Sequence, residues 1–373
     1  MYRIAVIPGD GVGPEVVQEG VKVLKVVGEL HDLNFDLTYY PNGAKHYLKS
    51  GETLSEEQLE EMRNMNAVFF GAVGDPRVKP GILEKGILLK IRFYFDQYIN
   101  LRPILSLPGL SCPLKGKTCK NIQFYVVREN TEDFYIGLGS RFKDKRNRAE
   151  LNLSRELYEI KMDIELELKE ENEIAYQIGL ISRGGAKRVI RYAFELAERK
   201  NRRKVTLIDK ANVMSDIYGL WRDVFDKVSR EYKGISTDYQ FVDNAAMQFV
   251  KDPGQYEVIV VPNLFGDVLT DLGAAIQGSI GTAASGNINP GRVSMFEPIH
   301  GSAPDIAGKG IANPIGAISA CAMMLEELKE YDASDAIEKA IRSVILKGKV
   351  RTPDLEGMAS TAEMGNAIIK ELG

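Results

Sequence analysis

Short runs of continuous apolar residues alternate along the chain with longer stretches in which apolar positions return every three to four residues. RIAVIP (3–8) is of the first kind, the pattern of a strand covered on both faces. A Pro-started helix follows from about 14 to 30, with Val16, Val17, Val21, Leu24 and Val27 as its apolar positions. FDLTYY (35–40) and AVFFGAVG (67–74) predict two more strands, and SEEQLEEM, with a Ser followed by Glu and Gln, predicts a helix start between them. A helix is expected over 82–98. Later strands are QFYVV (123–127), KVTLID (204–209), TDYQFV (237–242) and EVIVV (257–261), with helices at about 183–199, 213–229 and 267–277. Continuous rather than alternating apolar strands, interleaved with helices, predict an α/β protein with a largely parallel sheet. No internal repeat or low-complexity segment stands out.

One segment has a different period. From Ile160 to Leu168, apolar Ile160, Met162, Ile164, Leu166 and Leu168 alternate with Lys161, Asp163, Glu165 and Glu167, which is a half-buried strand. It follows RFKDKRNRAE (141–150), read as a solvated connection. Two placements fit: an antiparallel ribbon that pairs with a second subunit, which is preferred, or an extra edge hairpin lying on its own domain.

At 373 residues the chain is long enough for about two domains and a sizeable core. Lys and Arg number 48 against 52 Asp and Glu, so no basic footprint for nucleic acid exists. The longest apolar runs, such as VIVV (258–261), fall far short of a membrane span, and no secretory leader is visible at the start. Cys112, Cys119 and Cys321 form no CxxC pair, which argues against disulfides and zinc. His31, His46 and His300 are too scattered for a histidine metal site. The expectation is a cytoplasmic protein in which any metal is held by carboxylates.

Several strings carry possible chemistry. GDGVGP (9–14) sits at a strand-to-helix turn, but its glycine spacing is not GxGxxG, so a tight turn using Gly for positive φ explains it as well as a nucleotide does. Arg92 lies on the 82–98 helix, Arg102 in NLRP, and Arg128 ends an apolar strand. Three converging guanidinium groups would clamp a di- or tricarboxylate, whereas each alone could be a surface ion-pair partner. Asp267 and Asp271 fall four apart on one face of a helix read as beginning just after Gly266, and Asp243 ends a strand. Such carboxylates suit a hard divalent cation; alternatively Asp267 caps the helix and Asp271 is a solvated first-turn acid. Lys210, at a strand end, is a candidate general base if a nearby cation lowers its pKa, or a solvated lysine if not. FEPIHGSAPDIAGKGIANP (296–314) is a long ordered loop. The open backbone after His300, at Gly301 and Ser302, could face phosphates, and Asp305 could take both hydroxyls of a ribose.

Together, IPGDGVGPEV (7–16), NLRP (100–103), VRENTEDFYIG (127–137), DKANV (209–213), NLFGDVLTDL (263–272) and HGSAPDIAGKGIANP (300–314) resemble the metal-dependent decarboxylating dehydrogenases that act on 3-isopropylmalate, isocitrate, homoisocitrate and tartrate or D-malate. The motifs run in family order almost end to end; about 141–172 is the part least covered. The resemblance implies an isopropylmalate dehydrogenase-like α/β/α sandwich, not a Rossmann fold. It would have a first domain (1–97 plus 278–373), a second (98–277) and a projecting β-arm at about 141–182. It further implies that Arg92, Arg102 and Arg128 bind substrate carboxylates and that Asp243, Asp267 and Asp271 hold Mg²⁺ or Mn²⁺. Lys210 and Tyr135 would be the acid–base pair. Lys210 and Asp243 would reach across a homodimer interface to a shared site, with higher assembly possible. The loop would hold NAD through His300, Gly301, Ser302, Ala303, Asp305 on the adenosine ribose and Asn313 near the adenine. NADP-dependent relatives carry a Lys-Tyr pair where this chain has Asp305 and Ile306, and a carboxylate there would repel a 2′-phosphate.

For substrate, Leu88 and Leu89 match the pair that isopropylmalate enzymes place one turn before the first arginine. FGAVGDP (70–76), LLKIRFYFDQYINLRP (88–103) and CPLKGK (112–117) look closer to the tartrate/D-malate branch, which is the preferred reading. Lys85 fits neither branch: it either meets an extra anionic or polar substrate group or points to solvent. A catalytically silent regulatory subunit is the non-enzymatic alternative, although such subunits typically lose the Tyr, Lys or metal acids that this chain keeps.

Overall fold

A computed structural model describes residues 1–170 and 172–373. The first strand, β1 (Tyr2–Gly9), enters α1 (Gly13–Leu30) through Gly9 and Gly11, both at positive φ (72° and 58°), with a proline in the first turn of the helix. Then come β2 (Phe35–Tyr39), α2 (Ala44–Ser50), α3 (Glu56–Met62) and β3 (Ala67–Ala72). The predicted start of α3 is a full capping box: the Ser55 hydroxyl accepts from the Gln58 N–H, and the Gln58 side chain accepts from the Ser55 N–H.

The helix expected over 82–98 is not one regular helix. A π-helical turn, Glu84–Leu88, runs into a short α4 (Leu89–Tyr94). Chain direction then changes at Asp96, which has φ 45° and a side chain held by Arg188. Apolar periodicity alone did not register that stop. After it come β4 (Ile99–Leu105), β5 (Gln123–Glu129), β6 (Gly139–Phe142), β7 (Arg146–Arg155), β8 (Tyr158–Glu167) and β9 (Ile174–Gln177). The remainder comprises α5 (Arg183–Arg199), β10 (Lys204–Asp209), α6 (Ser215–Ser229), β11 (Ser236–Phe241), α7 (Val242–Lys251), β12 (Val258–Val261) and α8 (Asn263–Gln277). The chain ends with β13 (Ala284–Ile288), β14 (Ser294–Pro298), α9 (Ile315–Glu327), α10 (Tyr331–Lys347) and α11 (Thr361–Leu372).

Ten strands make one sheet in the order β11-β10-β12-β5-β4-β13-β14-β3-β1-β2. Both flanks are parallel, as expected, but β5–β4, β4–β13 and β13–β14 pair antiparallel in the middle. The expected α/β/α layering follows from strand alternation. Ile4, Val6, Phe69, Leu101, Val127, Leu207 and Val260 face α1, α5, α6 and α9–α11. On the opposite face, Ile7 and Phe70 pack with α3 and α4, while Phe124, Val126 and Ile259 pack with α7 and α8.

The β7–β8 hairpin is a separate two-stranded sheet, so it is not an edge hairpin of the main one. Arg146–Glu150, read as solvated connection, is part of β7: its charged residues alternate outward and pair across to β8, as Arg146 does with Glu167 (2.8 Å). Ile136, Leu138, Ile178 and Leu180 cover Leu151, Leu153, Ile160 and Met162 near the hairpin turn, leaving Ile164 and Leu166 outside that cluster.

Candidate active site

Strand alternation delivers the central arginines. Arg102 on β4 and Arg128 at the end of β5 both point to the face covered by α8, and Arg92 arrives from the last turn of α4. All three are buried. On α8, residues Asn263, Asp267, Thr270 and Asp271 recur at helical spacing and meet them. Arg128 donates through Nε (3.0 Å) and a terminal nitrogen (2.7 Å) to the Asn263 amide oxygen, and its other terminal nitrogen pairs with Asp267. Arg102 donates to the Thr270 hydroxyl (2.6 Å) and to Asp271 (3.2 Å), and lies 3.6 Å from Asp267. The approach is close because position 266 is Gly: a Cβ there would fall 2.5 Å from Arg128 Cγ.

Tyr135 sits in a short turn, Phe134–Ile136, entered through buried Asp133 at φ 61°. Asp133 accepts from the Leu264 N–H (2.9 Å) and the Tyr218 hydroxyl (3.1 Å), fixing that turn against the start of α8. Tyr135 therefore reaches Asp267, donating at 2.6 Å, with the Arg128 guanidinium 5.1 Å from its ring centre.

The cluster is electrostatically unfinished. Burial pulls Arg92 down to about 10, helped by the neighbouring Arg128 and Arg102 charges; burial and Arg128 likewise lower Arg102. Burial pushes Asp267 upward, but Arg128, the Tyr135 hydrogen bond and the other arginines outweigh it and hold the carboxyl below its ordinary value. Tyr135 is raised by burial, then by its bond to Asp267. The Nε atoms of Arg92 and Arg102 are buried and, among the described residues, have no hydrogen-bond partner. Cationic donors in excess of their acceptors fit an absent polyanion.

α8 begins at Asn263, earlier than expected, so Asp267 lies inside the helix and does not cap it. Asp267 and Asp271 share one face, and Asp271 is two-thirds exposed. This pair of oxygen donors suits a hard cation needing further ligands. Asp243 does not join them: it lies in the first turn of α7, with β11 ending one residue earlier than expected. Its partner is Lys210, just beyond β10, at 2.5 Å, and this hydrogen bond lowers the Asp243 pKa. Among the described residues, no three acids, histidines or cysteines gather into a metal-sized group.

Lys85 lies exposed in the π-helical turn, while Leu88 and Leu89 are half-buried at its junction with α4. The long loop is tied to α1. Val12 N–H donates to the Ser302 carbonyl (2.9 Å), Gly308 N–H to Glu15 (2.6 Å), and a Cβ at Gly11 would overlap the Ser302 oxygen. The weak GDGVGP string is thus a glycine turn that abuts this loop. His300 Nδ1 lies 3.0 Å from the Gly301 carbonyl, while Nε2 is buried and, among the described residues, unpartnered, and burial depresses the ring pKa. Ala303 is held at φ 40°, and Gly301 and Asp305 are exposed. Exposed Asp305 and the orphaned His300 nitrogen fit a polar cofactor. Asn313 is engaged within the fold, donating to Asp354 (2.9 Å) and accepting from Ile315 N–H (3.0 Å).

Residues not singled out from sequence also take part. Asn263 and Thr270 hold Arg128 and Arg102, Asp133 sets Tyr135, and buried Glu297 faces the arginines and accepts from Asn287 (2.7 Å). Helical spacing from Asp267, four residues back to Asn263 and three forward to Thr270, could have found the first two; no sequence signal marks Glu297.

Comparison with known proteins finds matches along almost the whole chain. The family model described as isocitrate/isopropylmalate dehydrogenase matches residues 3–368. A 3-isopropylmalate dehydrogenase of Thermobifida fusca is 43% identical over 372 residues, covering 99% of this chain and 97% of that protein. One from Corynebacterium glutamicum is 43% identical over 376 residues, covering 99% of each. Among solved structures, isocitrate dehydrogenase from Methylococcus capsulatus superposes with a TM-score of 0.85 at 35% identity, covering 100% of this chain and 99% of that one. A β-decarboxylating dehydrogenase from Thermococcus kodakarensis gives 0.74 at 35% identity, covering 100% and 96%. The tartrate/D-malate preference finds no support in these relatives.

Proposed function

From the premise that this chain belongs to the isocitrate/isopropylmalate dehydrogenase family, as a decarboxylating oxidoreductase, we propose that it oxidises and decarboxylates 3-isopropylmalate with NAD and Mg²⁺ or Mn²⁺. The observation that carries the reading is the buried group of Arg92, Arg102 and Arg128 converging on Tyr135 and Asp267, with guanidinium donors left over. The names borne by relatives at 43% identity favour isopropylmalate over D-malate or tartrate.

In this proposal the arginines bind both carboxylates of the substrate, and Leu88 and Leu89 provide the apolar wall for its alkyl group. Asp267 and Asp271, with Asp243 from a second subunit, hold the cation. The loop 300–313 holds NAD, with Asp305 on the ribose. When bound, the cation polarises the substrate oxygens and the nicotinamide accepts hydride. Lys210 takes the hydroxyl proton. Tyr135, kept protonated by burial and its bond to Asp267, returns a proton to carbon after carbon dioxide leaves. Among the described residues, Lys210 and Asp243 bond to each other and not to Tyr135 or Asp267, which supports a homodimer with shared sites, and the partly uncovered β7–β8 hairpin supplies a pairing surface. The domain division is 1–97 plus 278–373 against 98–277. Three free cysteines suit a reducing cytoplasm.

The test is Mn²⁺-dependent NADH formation with 3-isopropylmalate, D-malate, tartrate, isocitrate and homoisocitrate. The highest kcat/KM is expected with 3-isopropylmalate. A higher value with D-malate would overturn the substrate assignment, and no turnover with any would favour a silent subunit.

A further inference from the structure

Opposite the candidate active site, across the same strands, lies a cavity of about 400 Å³. Alternation explains its position: Leu101, Pro103 and Leu105 of β4 and Tyr125 of β5 point away from the face that carries Arg102 and Arg128. Its walls come from α5, α9 and α10. Its volume is that of a small-molecule pocket, and most of the lining is apolar or aromatic.

The charged groups around it are of two kinds. Lys200 is committed, pairing with Glu326 at 2.6 Å beside the Tyr125 ring. Arg199 lies over the Tyr192 ring, 5.1 Å from its centre. Glu327, Lys329, Glu338 and Arg342 also line the cavity, and among the described residues none of them is held in an ion pair or a side-chain hydrogen bond; of these four, Glu338 and Arg342 stand one turn apart on a single helix, α10. An acid and a guanidinium at this spacing, both open to an apolar chamber, complement adjacent positive and negative groups on an apolar body.

We propose that this cavity binds an apolar α-amino acid, with its ammonium on Glu338, its carboxylate on Arg342 and its side chain against Leu101, Tyr125, Met323 and Ile341. No part of this assignment uses the substrate, cofactor or cation of the active site, so it stands or falls separately.

Calorimetric titration of the full-length protein with phenylalanine, without substrate or NAD, tests it. Binding with a dissociation constant below about 1 mM is expected. N-acetylphenylalanine, lacking the ammonium, and phenylalaninamide, lacking the carboxylate, should each bind at least about tenfold more weakly, the scale of one charge-assisted hydrogen bond. Glu338→Gln and Arg342→Gln, checked for native circular dichroism, should each weaken phenylalanine by a similar factor. No binding of phenylalanine or leucine at about 10 mM would overturn the proposal, as would equal binding of the acetylated form or indifference to both substitutions.

Discussion

Two polar groupings in this chain differ in how complete they are. Around α8, Arg102, Arg128, Tyr135 and Asp267 are joined by hydrogen bonds and ion pairs, with Arg92 buried beside them. Lys210 and Asp243, by contrast, form an ion pair at the ends of neighbouring strands, with Asp243 two-thirds exposed. The first grouping keeps buried guanidinium donors that, among the described residues, have no acceptor. Among the described residues, no hydrogen bond or ion pair links the second to the first. One chain therefore gathers the arginines, Tyr135 and Asp267, while the groups proposed as base and third metal ligand pair with each other at a partly exposed position.

The largest expected effect breaks the first grouping. Arg128→Gln should lower kcat/KM by roughly 10³-fold, the scale of losing a buried, bidentate charge contact; a loss below tenfold in steady-state kinetics would remove Arg128 from carboxylate binding. Tyr135→Phe should lower kcat by about 10²-fold or more with KM little changed, because a proton donor acts in the transition state. Near-normal turnover would exclude it.

Mixing subunits sharpens the comparison most directly. If sites are shared, co-expressed Tyr135→Phe and Lys210→Met chains should regain about a quarter of the wild-type rate, since half of random dimers are mixed and each has one intact site of two. No recovery, with mixed dimers isolated by differential tags, would place both residues in the same chain's site.

The smallest effect concerns the segment just behind Arg128. Burial, then the nearby Glu132 charge, raise the pKa of Glu129, so the folded state binds its proton more tightly than the unfolded chain does. The associated stability is fully present at low pH and is lost as pH rises from about 4.5 toward neutrality. Glu129→Gln should flatten that decline by about 2 °C in Tm. An unchanged slope in thermal melts would show that Glu129 does not titrate there.

The sequence made some of this readable and hid the rest. The parallel flanks were legible because their strands are continuously apolar, as in VIVV (258–261), and Lys204–Asp209 and Arg183–Arg199 fall where periodicity put them. The antiparallel centre was not, because β13 reads ASGNI, whose small and polar residues are buried by contacts far away in sequence. α2, α7 and α9–α11 likewise have no counterpart among the elements expected from the sequence. In the site, Arg128 was legible from its position at a strand end. The convergence of Arg92 was not, because it depends on the π-helical turn and on the stop at Asp96. Lys210 and Asp243 were visible as residue types, but their mutual pairing required β10 and β11 to lie side by side.

The continuous sheet has a mechanical consequence. Because β4, β13 and β14 join the two parallel flanks by ladder hydrogen bonds, no flexible tether separates the α4 side from the α8 side. A rigid-body motion of the α4 side against the α8 side requires the strands between them to change their mutual twist, a deformation shared by many residues. The jaws of this cleft are thus the two ends of one torsion spring, with a resting shape set by the ladder itself.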